Sequence, residues 1–140
     1  VARLNHDRDT KRRDGRDFVF PLAAGMRVFA GSIVGLLPGG DFLAPASTFP
    51  EGSEMGRFAC LAAETVDNRD GVDGEASVKV ERTVVGLDFD GSINPGLIGT
   101  TVFMADDCTV TSSPGYGVGS LQAGLLVDIR DGQAWVDLQG

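Results

Sequence analysis

Side chains able to do acid–base, metal or nucleophilic chemistry are few in this chain, and they are scattered. The densest carboxylate group is Asp67-Asn68-Arg69-Asp70-Gly71-Val72-Asp73-Gly74-Glu75. A calcium loop of the EF-hand type needs oxygen ligands at alternating positions before its glycine and a glutamate at the twelfth. That register fails here, and Arg69 stands where a ligand would go, so the stretch reads as a solvated turn. Asp106-Asp107 invites an acid–base reading, but aspartates in a strand connection bond local backbone, and a turn accounts for both. His6 is the sole histidine, in a segment with nothing to fix it against a nucleophile. The glycine-rich stretch 112–120 lacks the Lys-Ser/Thr of a phosphate loop and opens no helix, so it reads as a linker. Cys60 and Cys108 with one histidine fall short of the four ligands of structural zinc. They are expected to be free, buried thiols in strands, with a disulfide between them left open. No Ser/His/Asp or Cys/His set assembles. The expectation is a chain with no catalytic residues, no metal and no cofactor, and hence not an enzyme.

The elements that would have to position any site are short and strand-like. Residues 18–22 are β-prone, and Pro21 confines them to an edge or a strand end. Residues 26–30 and 32–37 follow, and Pro38-Gly39-Gly40-Asp41 turns the chain back into 42–45. The Ser/Thr/Pro-rich stretch 46–54 reads as an exposed loop. Residues 57–66 suit a strand despite their alanines, and 67–75 reads as a polar loop. Residues 76–85 form one further strand, with Val78/Val80 against Lys79/Glu81 giving one buried and one wet face. Asn94-Pro95-Gly96 is a single helical turn, with Asn94 as its cap and Pro95 in the first helical position. Residues 100–104 and 109–111 are strands joined across 105–107. The closing hairpin pairs 125–129 with 134–138 around Asp131-Gly132, which supplies the positive φ angles of a tight turn. Eight or nine short strands and one helical turn predict an all-β, compact barrel or sandwich.

Ahead of this body stands a different kind of segment. Residues 1–16 carry six basic groups (Arg3, Arg8, Lys11, Arg12, Arg13, Arg16) against Asp7, Asp9 and Asp14. That is net +3 in a chain of net −8, so the remainder carries −11. With Leu4 as its one large aliphatic side chain, this arm cannot bury enough apolar surface to offset its own ordering, and it is expected to order on a partner. The division is therefore an extended basic arm, 1–16, and a β-rich body, 17–140. The acidic body argues against general nucleic-acid binding, and the interleaved aspartates weaken such binding by the arm. Arginine outnumbers lysine ten to two, which suits fixed bidentate contacts to carboxylates. Phe18, Phe20 and Trp135 are candidates to anchor the body or an oligomer interface. No apolar run approaches a membrane span and no signal peptide precedes the body. Val1 is taken to follow a removed initiator Met, in a protein made in a reducing cytoplasm.

The chain resembles the capsid decoration, or head cement, proteins of tailed bacteriophages. The resemblance rests on Thr10-Lys11-Arg12-Arg13-Asp14-Gly15 before Phe18-Val19-Phe20-Pro21-Leu22, then Val28-Phe29-Ala30-Gly31-Ser32-Ile33-Val34 and Ala63-Glu64-Thr65-Val66-Asp67-Asn68. Ile98-Gly99-Thr100-Thr101-Val102-Phe103, Asp106-Asp107-Cys108-Thr109-Val110 and the closing Ala123-Gly124-Leu125-Leu126-Val127-Asp128 with Trp135-Val136 complete it. These are turns and strand edges, with no catalytic signature among them; 46–54 and 112–119 have no counterpart. The resemblance implies a small β-rich virion protein on the outer capsid surface, made in the host cytoplasm. Its implied partners are the major capsid protein and copies of itself, with a homotrimer favoured over a dimer. Charge and hydropathy add the expectation of no membrane partner and argue against a nucleic-acid one. The basic residues add the expectation of docking through the arm, which stabilises the assembled shell. The rivals are a small trimeric phage enzyme of the dUTP pyrophosphatase type and a tail or receptor-binding module using 46–54 or 112–119. This chain lacks the Asp-rich nucleotide motifs and the glycine-rich C-terminal phosphate arm of the first.

Overall fold

In the computed structural model, which describes residues 17–49, 56–113 and 121–139, period-two patterning resolves into twelve short strands. They are β1 (Asp17–Pro21), β2 (Met26–Val28), β3 (Ile33–Leu36), β4 (Leu43–Pro45), β5 (Arg57–Ala62) and β6 (Val66–Asn68). Then come β7 (Ser77–Glu81), β8 (Val84–Phe89), β9 (Thr101–Met104), β10 (Thr109–Thr111), β11 (Gln122–Arg130) and β12 (Gln133–Asp137). A five-stranded antiparallel sheet runs in the order β1-β7-β5-β3-β4. The later strands close a five-stranded barrel, β10-β8-β12-β11-β9, and β2 and β6 form a separate ribbon. Closure comes from β10, which pairs antiparallel with β9 and parallel with β8. A closed barrel has no free edge strands, and small inward side chains such as Ala123 and Ala134 let so few strands close. The fold is all-β, as the patterning predicts.

The sheet is the middle layer. Along β5 the side chains alternate between two apolar clusters: Ala59 and Leu61 join the barrel core, while Cys60 and Ala62 join the core under the ribbon. β3 is buried on both faces, with Ile33 turned to the barrel and Val34 to the other side. The second core gathers Leu22, Val28, Leu43, Val78 and Val80, with Met26 and Val66 of the ribbon packed against it. On β7 the opposite face carries Ser77 and Lys79, both exposed. Beyond β5, therefore, the sheet overhangs the barrel.

The closing hairpin forms as expected, with Asp131 (φ 56°) and Gly132 (φ 74°) both left-handed. The Asn94 turn also forms: its side chain accepts from the Gly96 N–H, with Pro95 in the first turn. Pro21 is the last residue of β1. Other expectations are corrected. Residues 76–85 are two strands, because the chain crosses from sheet to barrel at Arg82-Thr83. Residues 57–66 also divide, with Val66 already in β6. The polar loop 67–75 begins inside β6, where Asn68 is buried. Residues 46–49 are no simple exposed loop, since Ala46 and Phe49 are buried around a second 3-10 turn, Ala46–Thr48. Cys60 is buried and Cys108 exposed; both thiols are free, and Cys108 lies in a bend before β10. The arm 1–16 lies outside the described residues, as do 50–55 and 114–120, which hold most of the two unmatched loops.

Candidate functional site

The residues Arg3, Arg8, Lys11, Arg12, Arg13, Arg16 and His6 all lie outside the described residues, but the segment that carries them joins the body at Asp17, the first residue of β1. β1 stands at one end of the five-stranded sheet, where among the described strands it pairs with β7, and just past its end Leu22 bridges in parallel to Leu43 of β4. Its side chains alternate, so Phe18 and Phe20 turn to one face and Asp17 and Val19 to the other. Phe18 and Phe20 pack edge-on against Phe58, at centroid distances of 5.3 and 5.4 Å. Phe58 adopts φ 60°, a left-handed backbone that is uncommon for a bulky residue. It sits where the β3–β5 register shifts, and the local irregularity re-aims its ring.

Behind Phe58 lies Arg82, its guanidinium 4.0 Å from the ring centroid. Its Nε donates to the Ala59 carbonyl at 3.2 Å and its Nη2 to the Leu138 carbonyl at 2.6 Å. One side chain thus joins β1's aromatic seat, the sheet and the end of the barrel. Sequence reasoning singled out Phe18 and Phe20 but missed Phe58 and Arg82, which meet them only through long-range strand pairing.

On β1's other face Val19 is 62% exposed. It borders a groove of about 590 Å³ lined by Asp17, Val19, Ala63, Lys79 and Glu81. Trp135 belongs to neither feature. It lies half-buried on the outside of the barrel, opposite Gly86 in the strand register, with its indole covering that glycine. Its Nε1 donates to the Arg130 carbonyl at 3.3 Å.

Carboxylates that invited a chemical reading are taken up by structural contacts, Asp67, Glu75 and Asp106 within their own turns, but Asp73 and Asp107, against the expectation of local bonding for the latter, by backbone far away in the sequence. Asp67 pairs with Arg69 at 2.8 Å, and the hydrogen bonds from Arg69 hold its carboxyl down to about 2. Asp73 accepts from the Ala24 N–H, and Glu75 from the Val72 N–H. Buried Asn68 donates from Nδ2 to the carbonyls of Leu22, Ala23 and Val72, tying this turn to the sheet. Asp106 accepts from the Cys108 and Thr109 N–H groups. Desolvation pushes its carboxyl up, but those bonds outweigh it and leave the pKa lowered. Asp107 accepts from the Ser47 N–H. Desolvation raises the buried Cys60 thiol to about 12. Among the described residues, no group of three or more His, Cys, Asp or Glu is placed to hold a metal ion. No protein-family model, curated protein or solved structure matches this chain.

Proposed function

We propose that this chain is a structural protein of a tailed-bacteriophage head that binds the outer surface of the assembled capsid and stabilises it. The reading is carried by the junction at Asp17, where a segment with six basic residues feeds directly into β1. Phe18 and Phe20 fasten that junction to Phe58, and Arg82 fastens Phe58 to the sheet and to the end of the barrel. An anchor for a docking arm needs that kind of fastening.

In this reading the guanidinium groups pair with carboxylates of the major capsid protein, where bidentate geometry is strongest. Each contact is weak, and presentation by a symmetric oligomer multiplies them through effective concentration. A protein that binds only the assembled shell stabilises it by mass action. The acidic body, left facing solvent, keeps a coated particle from associating with its neighbours. Sedimentation with expanded capsids, comparing the full chain with one lacking residues 1–16, tests the proposal. Saturable co-sedimentation at a stoichiometry fitting shell symmetry, lost with the arm, is the expected result. Failure of the full chain to co-sediment would overturn it.

A further inference from the structure

The indole of Trp135 lies flat on the outside of the barrel. A Cβ placed on Gly86 would stand 3.2, 3.2 and 3.3 Å from its Cη2, Cζ3 and Cζ2 atoms. A point nearly equidistant from three consecutive ring atoms lies over the middle of the ring, so the six-membered ring rests face-down on this glycine of β8. The indole Nε1 donates to the Arg130 carbonyl at 3.3 Å, at the end of β11. Held from both flanking strands, the side chain crosses β12 with its second face turned to solvent. Among the described residues, ring stacking and cation–π contacts fall on phenylalanines alone.

Polar side chains stand beside that face. Alternation puts Gln133 and Asp88 on the outer surface with Trp135, and Asp128 lies opposite Trp135 on β11. The Gln133 Nε2 donates to the Asp88 Oδ1 at 3.2 Å, and the Arg130 Nε stands 3.3 Å from the Asp128 Oδ2. Each pair steadies its members and leaves groups over. Among the described residues, no hydrogen bond engages the Gln133 Oε1, the Asp88 Oδ2 or the Arg130 Nη atoms. We propose that this face binds a neutral pyranose saccharide, with the C–H face of the sugar on the indole and its hydroxyls held by Gln133, Asp88 and Arg130. The negative face of an aromatic ring attracts C–H groups, and amide, carboxylate and guanidinium together offer hydroxyls both acceptors and donors. The indole N–H is already committed to Arg130, so Trp135 offers a ligand its flat face only. Charge selects among flat ligands. Asp88, Asp128 and Asp131 outnumber Arg130 along this surface, which repels nucleotides and sulfated or acidic sugars. A second copy of the chain would bring the same acidic surface and is opposed for the same reason. The inference stands on the barrel surface and does not rest on capsid binding.

Trp135 is the sole tryptophan, so its emission reports on this face. The full-length chain is titrated with cellohexaose, maltohexaose, chitohexaose and mannohexaose, four neutral probes that differ in linkage or ring substituents. At least one is expected to change the emission saturably, with a Kd of about 0.1–5 mM, the affinity of one stacked ring and a few hydrogen bonds. Gln133→Ala and Arg130→Ala flank an exposed turn and should keep the fold by circular dichroism. Each should weaken binding about three- to tenfold, the loss of one hydrogen bond. Trp135→Ala, followed by calorimetry, should abolish it, and the anionic polymer dextran sulfate should leave the parent emission unchanged. No saturable change with any of the four probes up to about 20 mM would overturn the proposal. So would binding that survives Trp135→Ala, affinity unchanged in both flanking variants, or an equal response to dextran sulfate. An emission shift that follows protein concentration without saccharide would put a second copy on the indole and overturn it as well.

Discussion

Single side chains carry much of the connection between the layers. Arg82 gives the Ala59 and Leu138 carbonyls a charged donor and lies over Phe58. Hydrogen bonds to charged groups contribute about 1.5–3 kcal/mol, and a deserted buried acceptor adds its own desolvation cost. Arg82→Ala is therefore expected to lower unfolding stability by about 2–4 kcal/mol in urea titration. Arg82→Lys should recover part of that, because an ammonium cannot span both carbonyls. Cys60 makes a second prediction at this scale. Its folded pKa of about 12 lies above its ordinary value of 9.0. The thiol thus favours the folded state fully below pH 9, and this contribution disappears as pH rises from about 9 towards 12, by about 1.4 kcal/mol per pH unit. Cys60→Ala should flatten that slope. A thiol reagent should titrate Cys108 alone in the folded protein and both cysteines in denaturant.

Among the elements, the β11–β12 hairpin contains two glycines with opposite sensitivities. Gly132 has φ 74° and open space where a Cβ would go, so Gly132→Ala meets only backbone strain, about 1 kcal/mol. At Gly124 a Cβ would fall 2.2 Å from the Asp137 carbonyl oxygen. Gly124→Ala must push the two strands apart, and it should cost more than about 3 kcal/mol or prevent folding. Thermal unfolding of the two variants, followed by fluorescence of Trp135 on β12, checks the ordering. Turns and caps of this local kind were legible in the sequence: Asp131-Gly132, Asn94-Pro95 and Pro21 each constrain their own neighbours. Pairing at a distance was not. Val78 to Val85 reads as one continuous β-prone run, and only packing reveals that it changes layer at Arg82. β6 is visible only through β2, some forty residues earlier, and the parallel β8–β10 contact has no local signature. The same limit governed the candidate site. Its basic residues and the two phenylalanines of β1 could be read off the chain. The backbone of Phe58 and the reach of Arg82 arise from tertiary contacts.

At the scale of the whole molecule the charge is divided, with net +3 on residues 1–16 and −11 on the rest. If the basic groups do the docking, capsid binding should weaken as salt rises from 50 to 500 mM, concentrations chosen as roughly spanning strong to weak screening. A version without residues 1–16 should have no residual binding to titrate. Salt-independent binding of the full chain would rule out docking by these charged groups. The chain is also divided in sequence order. Every strand of the sheet and ribbon lies within residues 17–81, and every barrel strand within 84–137. Yet Ile33, Ala46, Phe49 and Ala59, all made early, belong to the apolar core that the barrel strands complete. During synthesis on the ribosome, the first half emerges with one apolar face uncovered and stays so until the last hairpin is released. Nascent chains stalled before β11 should accordingly bind holdase chaperones and aggregate when freed. Release of the complete chain should end both behaviours at once.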